Sequence, residues 1–130
     1  MTVSWVTQVA TSPRLVGAGV EVGALTHRLI AEGGAFSVSM LRREDRGVVR
    51  RFVKPADDDG ESLNGHPVKT AVTGAPVLVA AAAWLDCELR HCLELGSHSF
   101  FVGEVVAAGF GAPEDTELLR MEDTRMSYGG

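Results

Sequence analysis

The chain has 130 residues, 45% of them hydrophobic and 22% charged, with a formal net charge of −5. This length and composition fit one soluble domain, residues 1–130, with a single core. The acidic balance argues against a nucleic-acid surface, and the longest apolar run, residues 75–85, contains Pro76 and is too short to span a membrane.

Residues 2–10 are rich in β-branched side chains, residues 15–22 form an apolar run, and Thr11-Ser12-Pro13-Arg14 between them reads as a turn. Two antiparallel strands are predicted. Met1 leads directly into the first of them, so no signal peptide is expected. Gly17, Gly19 and Gly23 invite a dinucleotide reading. The third glycine falls one position late for G-x-G-x-x-G, and no βαβ unit follows, which excludes it.

Residues 26–32 are predicted to form a short helix. Leu25, Leu29 and Ile30 make its apolar side, Thr26 caps its start, and Gly33-Gly34 stops it. Residues 35–41 then alternate, with Phe36, Val38 and Met40 facing one way and Ser37 and Ser39 the other. A second helix is predicted over residues 44–53, with Val48, Val49 and Phe52 inward and Pro55 ending it. The basic cluster of Arg42, Arg43, Arg46, Arg50, Arg51 and Lys54 is broken by Glu44 and Asp45. It reads first as a solvated helix face, and second as an attraction for nucleotide phosphates.

Residues 55–76 hold little apolar content and many turn formers, so a long surface loop is predicted there. The triplet Asp57-Asp58-Asp59 lacks the following carboxylates of a calcium loop. The second half reads as β: strands over residues 84–93 and 98–108, a turn over 94–97, a last segment over 117–121, then Tyr128-Gly129-Gly130. Many strands with two short helices predict a mainly β barrel. Cys87 and Cys92 fall on opposite faces of one strand and cannot bridge each other, so reduced thiols and a cytoplasmic location are expected.

Thr2, Ser4, Thr7 and Gln8, with Trp5 as a flat apolar partner, form either the solvent face of a strand or the hydrogen-bonding edge for a flavin. Thr26 and His27 lie at a helix start, where free N–H groups and the dipole favour phosphate. His91, His98, Cys87 and Cys92 fit no zinc spacing and are divided by strand parity, so no metal site is expected. His66 reads as solvated or as part of the long loop. No G-x-S-x-G or other nucleophile motif is present, which fits an enzyme whose chemistry resides in a cofactor.

Taken in order, several segments resemble the flavin reductase-like family, the FMN-binding split barrel. They are residues 2–15, Leu25-Thr26-His27-Arg28-Leu29-Ile30, the strand from Phe36, Gly65-His66-Pro67, Thr73-Gly74-Ala75-Pro76-Val77-Leu78, Trp84-Leu85-Asp86-Cys87, Gly96-Ser97-His98, Phe101-Val102-Gly103-Glu104-Val105 and Tyr128-Gly129-Gly130. The resemblance covers nearly the whole chain. It implies a split β-barrel shortened at its N-terminus, since the family normally has a further helix and strand ahead of the first segment. Ser12-Pro13-Arg14 also departs from the paired proline usual after the flavin strand.

The resemblance further implies that Thr2, Ser4, Trp5, Thr7 and Gln8 line the flavin ring and its ribityl chain. Thr26 and His27 would meet the phosphate, His98 would lie near the nicotinamide, and Tyr128 would approach the active site. The implied activity is hydride transfer from NADH or NADPH to FMN, with FAD possible, and onward to a partner monooxygenase or a small acceptor. The implied assembly is a homodimer. The alternatives are a non-catalytic flavin-binding electron carrier and a degenerate barrel acting as an interaction protein.

Overall fold

A computed structural model describes residues 1–126. Five antiparallel strands make the main sheet: β1 (Val6–Thr11), β2 (Arg14–Glu21), β3 (Ala35–Met40), β7 (Ala83–Glu94) and β8 (His98–Phe110). Their spatial order is β1-β2-β8-β7-β3. The architecture is mainly β with short helices, as the strand-rich sequence predicts.

Period-2 alternation decides which face is covered. Val16, Ala18 and Val20 of β2 point to the side where α1 (Leu25–Gly33) lies, and Phe101 of β8 pairs with Ala18 on that face. The core cluster is Val20, Ile30, Phe36, Cys87 and Phe101. Gly103 belongs to this face because nothing larger fits: a Cβ there would lie 2.6 Å from the Phe36 ring and 2.8 Å from Cys87 Cβ. The α1 helix ends as the paired glycines predict. Gly34 takes a left-handed conformation (φ 67°) and its N–H donates to the Ile30 carbonyl at 2.9 Å.

The β7–β8 hairpin turns at residues 95–97, where Leu95 N–H donates to the His98 carbonyl at 2.9 Å and Gly96 sits at φ 93°. Cys87 is buried and Cys92 exposed, both as free thiols.

Three elements depart from the sequence reading. The first strand begins at Val6, not Thr2, because Thr2 is drawn to a helix end instead. The predicted helix over 44–53 divides into a 3₁₀ turn (Arg43–Asp45) and α2 (Arg46–Arg51). At its end Thr2 N–H donates to the Phe52 carbonyl at 2.9 Å and the Thr2 hydroxyl donates to the Val49 carbonyl at 2.7 Å. Thr2 thereby satisfies orphan carbonyls of a helix end.

The predicted long loop is partly a second sheet, β4 (Ser62–Leu63), β5 (His66–Lys69) and β6 (Val77–Leu78), in the order β4-β5-β6. Polar side chains fix it to the main sheet. Leu78 N–H donates to Ser39 Oγ at 3.1 Å, and Ser37 Oγ donates to the Pro76 carbonyl at 2.5 Å. Asp86, 0% exposed, accepts the N–H groups of Val72 and Thr73 at 2.8 and 2.9 Å and also the Thr73 hydroxyl. The last segment makes an isolated bridge between Leu118 and Arg42, followed by α3 (Met121–Thr124). Among the described residues no helix is long and apolar enough to cross a membrane.

Candidate functional site

The face of the main sheet opposite α1 is built differently. Gly17 and Gly19 of β2 point to it, and each glycine has an aromatic ring lying against it. A Cβ at Gly17 would fall 2.1 Å from Phe100 Cζ, and one at Gly19 would fall 3.1 Å from the Trp5 ring. Trp5 is held there by its backbone, whose carbonyl accepts the Gly19 N–H at 2.9 Å. The glycines serve neither a phosphate nor a turn; they are the floor under two rings.

His98 completes the platform. It pairs with Glu21 across β2, and its ring centroid lies 4.9 Å from that of Trp5 with the planes inclined at 50°. Ser97 Oγ lies 3.0 Å from His98 Nδ1, so the turn residue ahead of the strand orients the imidazole. Thr7 pairs with Gly17 and is exposed, its hydroxyl making a long bond of 3.3 Å to the Gln8 carbonyl. Gln8 is exposed as well, and its amide donates to the Ala10 carbonyl at 3.2 Å.

These placements divide the sequence-predicted site. Trp5, Thr7 and His98 gather on one face of β1, β2 and β8, and Ser4 is exposed next to Trp5, whereas Gln8, opposite Val16, falls by register on the other face of the edge strand. Thr2 is withdrawn by its two bonds to the end of α2. Thr26 is not the helix cap: that position is Ala24, without a side-chain bond, and Thr26 lies inside the first turn. His27 turns toward the sheet, not outward. Its Nε2 lies 2.8 Å from Oγ of the buried Ser99, and its ring meets Phe101 edge-on at 4.9 Å. A helix starting one residue before Thr26 rotates both side chains away from the capping position. Tyr128 lies outside the described residues.

Phe100 is the platform residue that sequence reasoning missed. Its signal was present, since it stands two positions after His98 on the same strand and therefore on the same face. The half-exposed Trp5 (50%), Phe100, the His98 imidazole and the Thr7 hydroxyl suit a flat heteroaromatic ring with a polar edge. Of the two residues expected at the phosphate, His27 directs Nε2 to Ser99 and Thr26 lies within the first turn of α1. Among the described residues no group of three or more His, Cys, Asp or Glu is placed to hold a metal ion.

Known proteins share the sequence pattern and the fold. The NADH-dependent flavin reductase StyB of Pseudomonas fluorescens is 32% identical over 109 residues, covering 84% of this chain and 61% of its own length. The chain thus spans about three fifths of that relative. The solved styrene monooxygenase flavin reductase (SMOB) of Pseudomonas putida superimposes with a TM-score of 0.75 at 29% identity, over 100% of this chain and 79% of that one. The NADH:FAD oxidoreductase SgcE6 of Streptomyces globisporus, solved in complex with NAD and FAD fragments, gives a TM-score of 0.78 at 29% identity, over 96% of this chain and 73% of that one. The fold is accordingly the split β-barrel of these reductases. A family model, the flavin reductase like domain, matches residues 1–129, and the chain belongs to that family.

Proposed function

We propose that this chain is a flavin reductase that passes a hydride from NADH or NADPH to a flavin, FMN or FAD, held on the Trp5–His98 platform. The observation that carries the reading is the platform itself: two aromatic rings and an imidazole laid on glycines of a sheet face within a flavin reductase like domain. A bound flavin supplies the two-electron chemistry.

The protein's own residues orient and exclude. Trp5 and Phe100 offer apolar surface to a ring, and Thr7 offers a hydroxyl at its polar edge. His98, braced by Ser97, positions the nicotinamide. Orientation of two rings face to face is where such a site gains most of its rate, because there is no covalent step for the protein to perform. Exposed Val22, Leu93 and Leu95 support a homodimer in which a second copy covers this end of the sheet. The name of SMOB, a styrene monooxygenase flavin reductase, supports delivery of reduced flavin to a partner monooxygenase.

The test is an absorbance spectrum after incubation with FMN or FAD and desalting, followed by anaerobic NADH or NADPH. A retained visible band that bleaches on reduction, or steady-state nicotinamide oxidation that depends on added flavin, is the expected result. A retained band that never bleaches would make the chain an electron carrier. Neither retention nor flavin-dependent oxidation would leave an interaction module and defeat the reading.

A further inference from the structure

We propose that Arg46, Arg50 and Arg125 form a binding site for a phosphate or diphosphate group, either free or carried by a nucleotide. The site uses no residue of the Trp5–His98 platform. It is a cleft of about 380 Å³ between α2 and the end of α3, lined by Arg46, Gly47, Arg50, Asp123, Thr124 and Arg125.

Among the described residues four arginines are held close to carboxylates. Arg42 approaches Asp45 at 4.0 Å, and Arg43 pairs with Glu117 at 3.3 Å and Asp123 at 3.0 Å. Arg90 pairs with Glu88 and Glu104, both at 2.8 Å, and Arg120 with Glu122 at 3.5 Å. Among the described residues Arg46, Arg50 and Arg125 have no such partner, although acidic side chains outnumber basic ones in the chain, 17 to 12. Cations that converge on one concavity in an acidic protein, and are left without carboxylates, mark a place that anions can enter.

The remaining lining residues leave that charge in place. Asp123 is the cleft's one carboxylate, and both its oxygens are committed: Oδ1 accepts from Arg43 Nε and Oδ2 from the Arg120 backbone N–H, each at 3.0 Å. Those partners hold its carboxyl below the usual range, the Arg120 N–H first, so it stays ionised toward Arg43. The Thr124 hydroxyl donates to the Met121 carbonyl at 2.7 Å. Gly47 leaves the space open, since a Cβ there would meet nothing within 4 Å.

Arg46 and Arg50 stand four apart on α2, where like charges repel along one face. Arg125 occupies a left-handed position (φ 58°) that glycine would adopt at less cost. An anion between the three relieves the repulsion and gives the costly arginine a role. Guanidinium groups match phosphate oxygens two at a time, which selects phosphate over a simple halide.

Isothermal titration of the full chain with inorganic diphosphate and, separately, with ADP, at low salt and without metal, tests the site. Saturable binding is expected. Arg46→Gln with Arg50→Gln should weaken it about tenfold or more, since each removes a charge-assisted hydrogen bond. Arg125→Gly should weaken it too while keeping the melting temperature, because glycine suits that backbone. Arg14→Gln with Arg28→Gln, exposed arginines outside the cleft, should leave it unchanged. ADP binding tighter than diphosphate supports a nucleotide, and equal binding supports the free anion. No saturable binding of either, or equal loss from the Arg14/Arg28 control, overturns the proposal.

Discussion

On the α1 side of the main sheet, side chains fill the space so fully that Gly103 has no room for a single added carbon beneath Phe36 and Cys87. On the other side, glycines also lie under rings, but the rings face outward: Trp5 is half exposed, and His98 and Phe100 are only partly covered. The two faces share strands, register and backbone bonds. They differ in what the glycines do. Gly103 admits a ring into a closed core, whereas Gly17 and Gly19 make room for rings whose outer surfaces stay partly exposed. The covered face holds the molecule together, and the open face is where a ligand ring can be received. Substitutions on the two faces should therefore separate stability from activity.

The largest effect is expected at Phe101, fully buried at the centre of the covered face. Phe101→Ala should cost about 3–5 kcal/mol of folding stability, from lost transfer energy plus the cavity left behind. Urea unfolding would measure it. A loss below about 1 kcal/mol, the level of an exposed site, would mean that this face is not the core.

Next comes Asp86, which holds residues 72–73 to the sheet. Asp86→Ala leaves the N–H groups of Val72 and Thr73 without their acceptor and should cost about 2–3 kcal/mol. Asp86→Asn keeps one acceptor and should lose less. Protease sensitivity of the 70–76 segment should rise in Asp86→Ala, and equal sensitivity in the wild type would refute this fastening role.

The open face should behave in the opposite way. Trp5→Ala should change stability by less than about 1 kcal/mol, as a half-exposed side chain does, yet lower flavin-dependent kcat/KM about tenfold. Gly17→Ala pushes against the far end of the Phe100 ring, which can swing, so it too should spare the fold and impair the flavin reaction. Unchanged kinetics in both variants would show that the rings merely fill a surface.

What the sequence revealed follows the same division. Elements held by apolar periodicity were legible: the Phe36–Val38 alternation, the Gly33-Gly34 stop and the long hairpin across residues 95–97 all appear where the pattern puts them. The second sheet was not, because Ser37, Ser39 and Asp86 fasten it through hydrogen bonds that link positions far apart in the chain. The site was half legible. Strand parity joins Trp5, Thr7 and His98, but the direction of His27 depends on a partner, Ser99, that no local pattern names. Thr2 likewise looks like a strand hydroxyl until the end of α2 is brought to it.

The smallest effect concerns the two thiols, which report the same contrast between covered and open positions. Burial, with the Asp86 charge second, pushes the Cys87 thiol up from 9.0 to about 11. The folded state therefore keeps a proton that the unfolded chain has already released in that interval. The stabilisation from this difference is complete below the unfolded value and is lost as pH rises through the folded one. The stability gap between wild type and Cys87→Ala should consequently narrow between about pH 9 and about pH 11, in urea midpoints taken at each pH. A thiol reagent at neutral pH supplies the companion reading: exposed Cys92 should react at once, and Cys87 only at the rate of opening. Immediate reaction of both would show that the face beneath α1 opens as readily as the platform, and the contrast between the two faces would then fail.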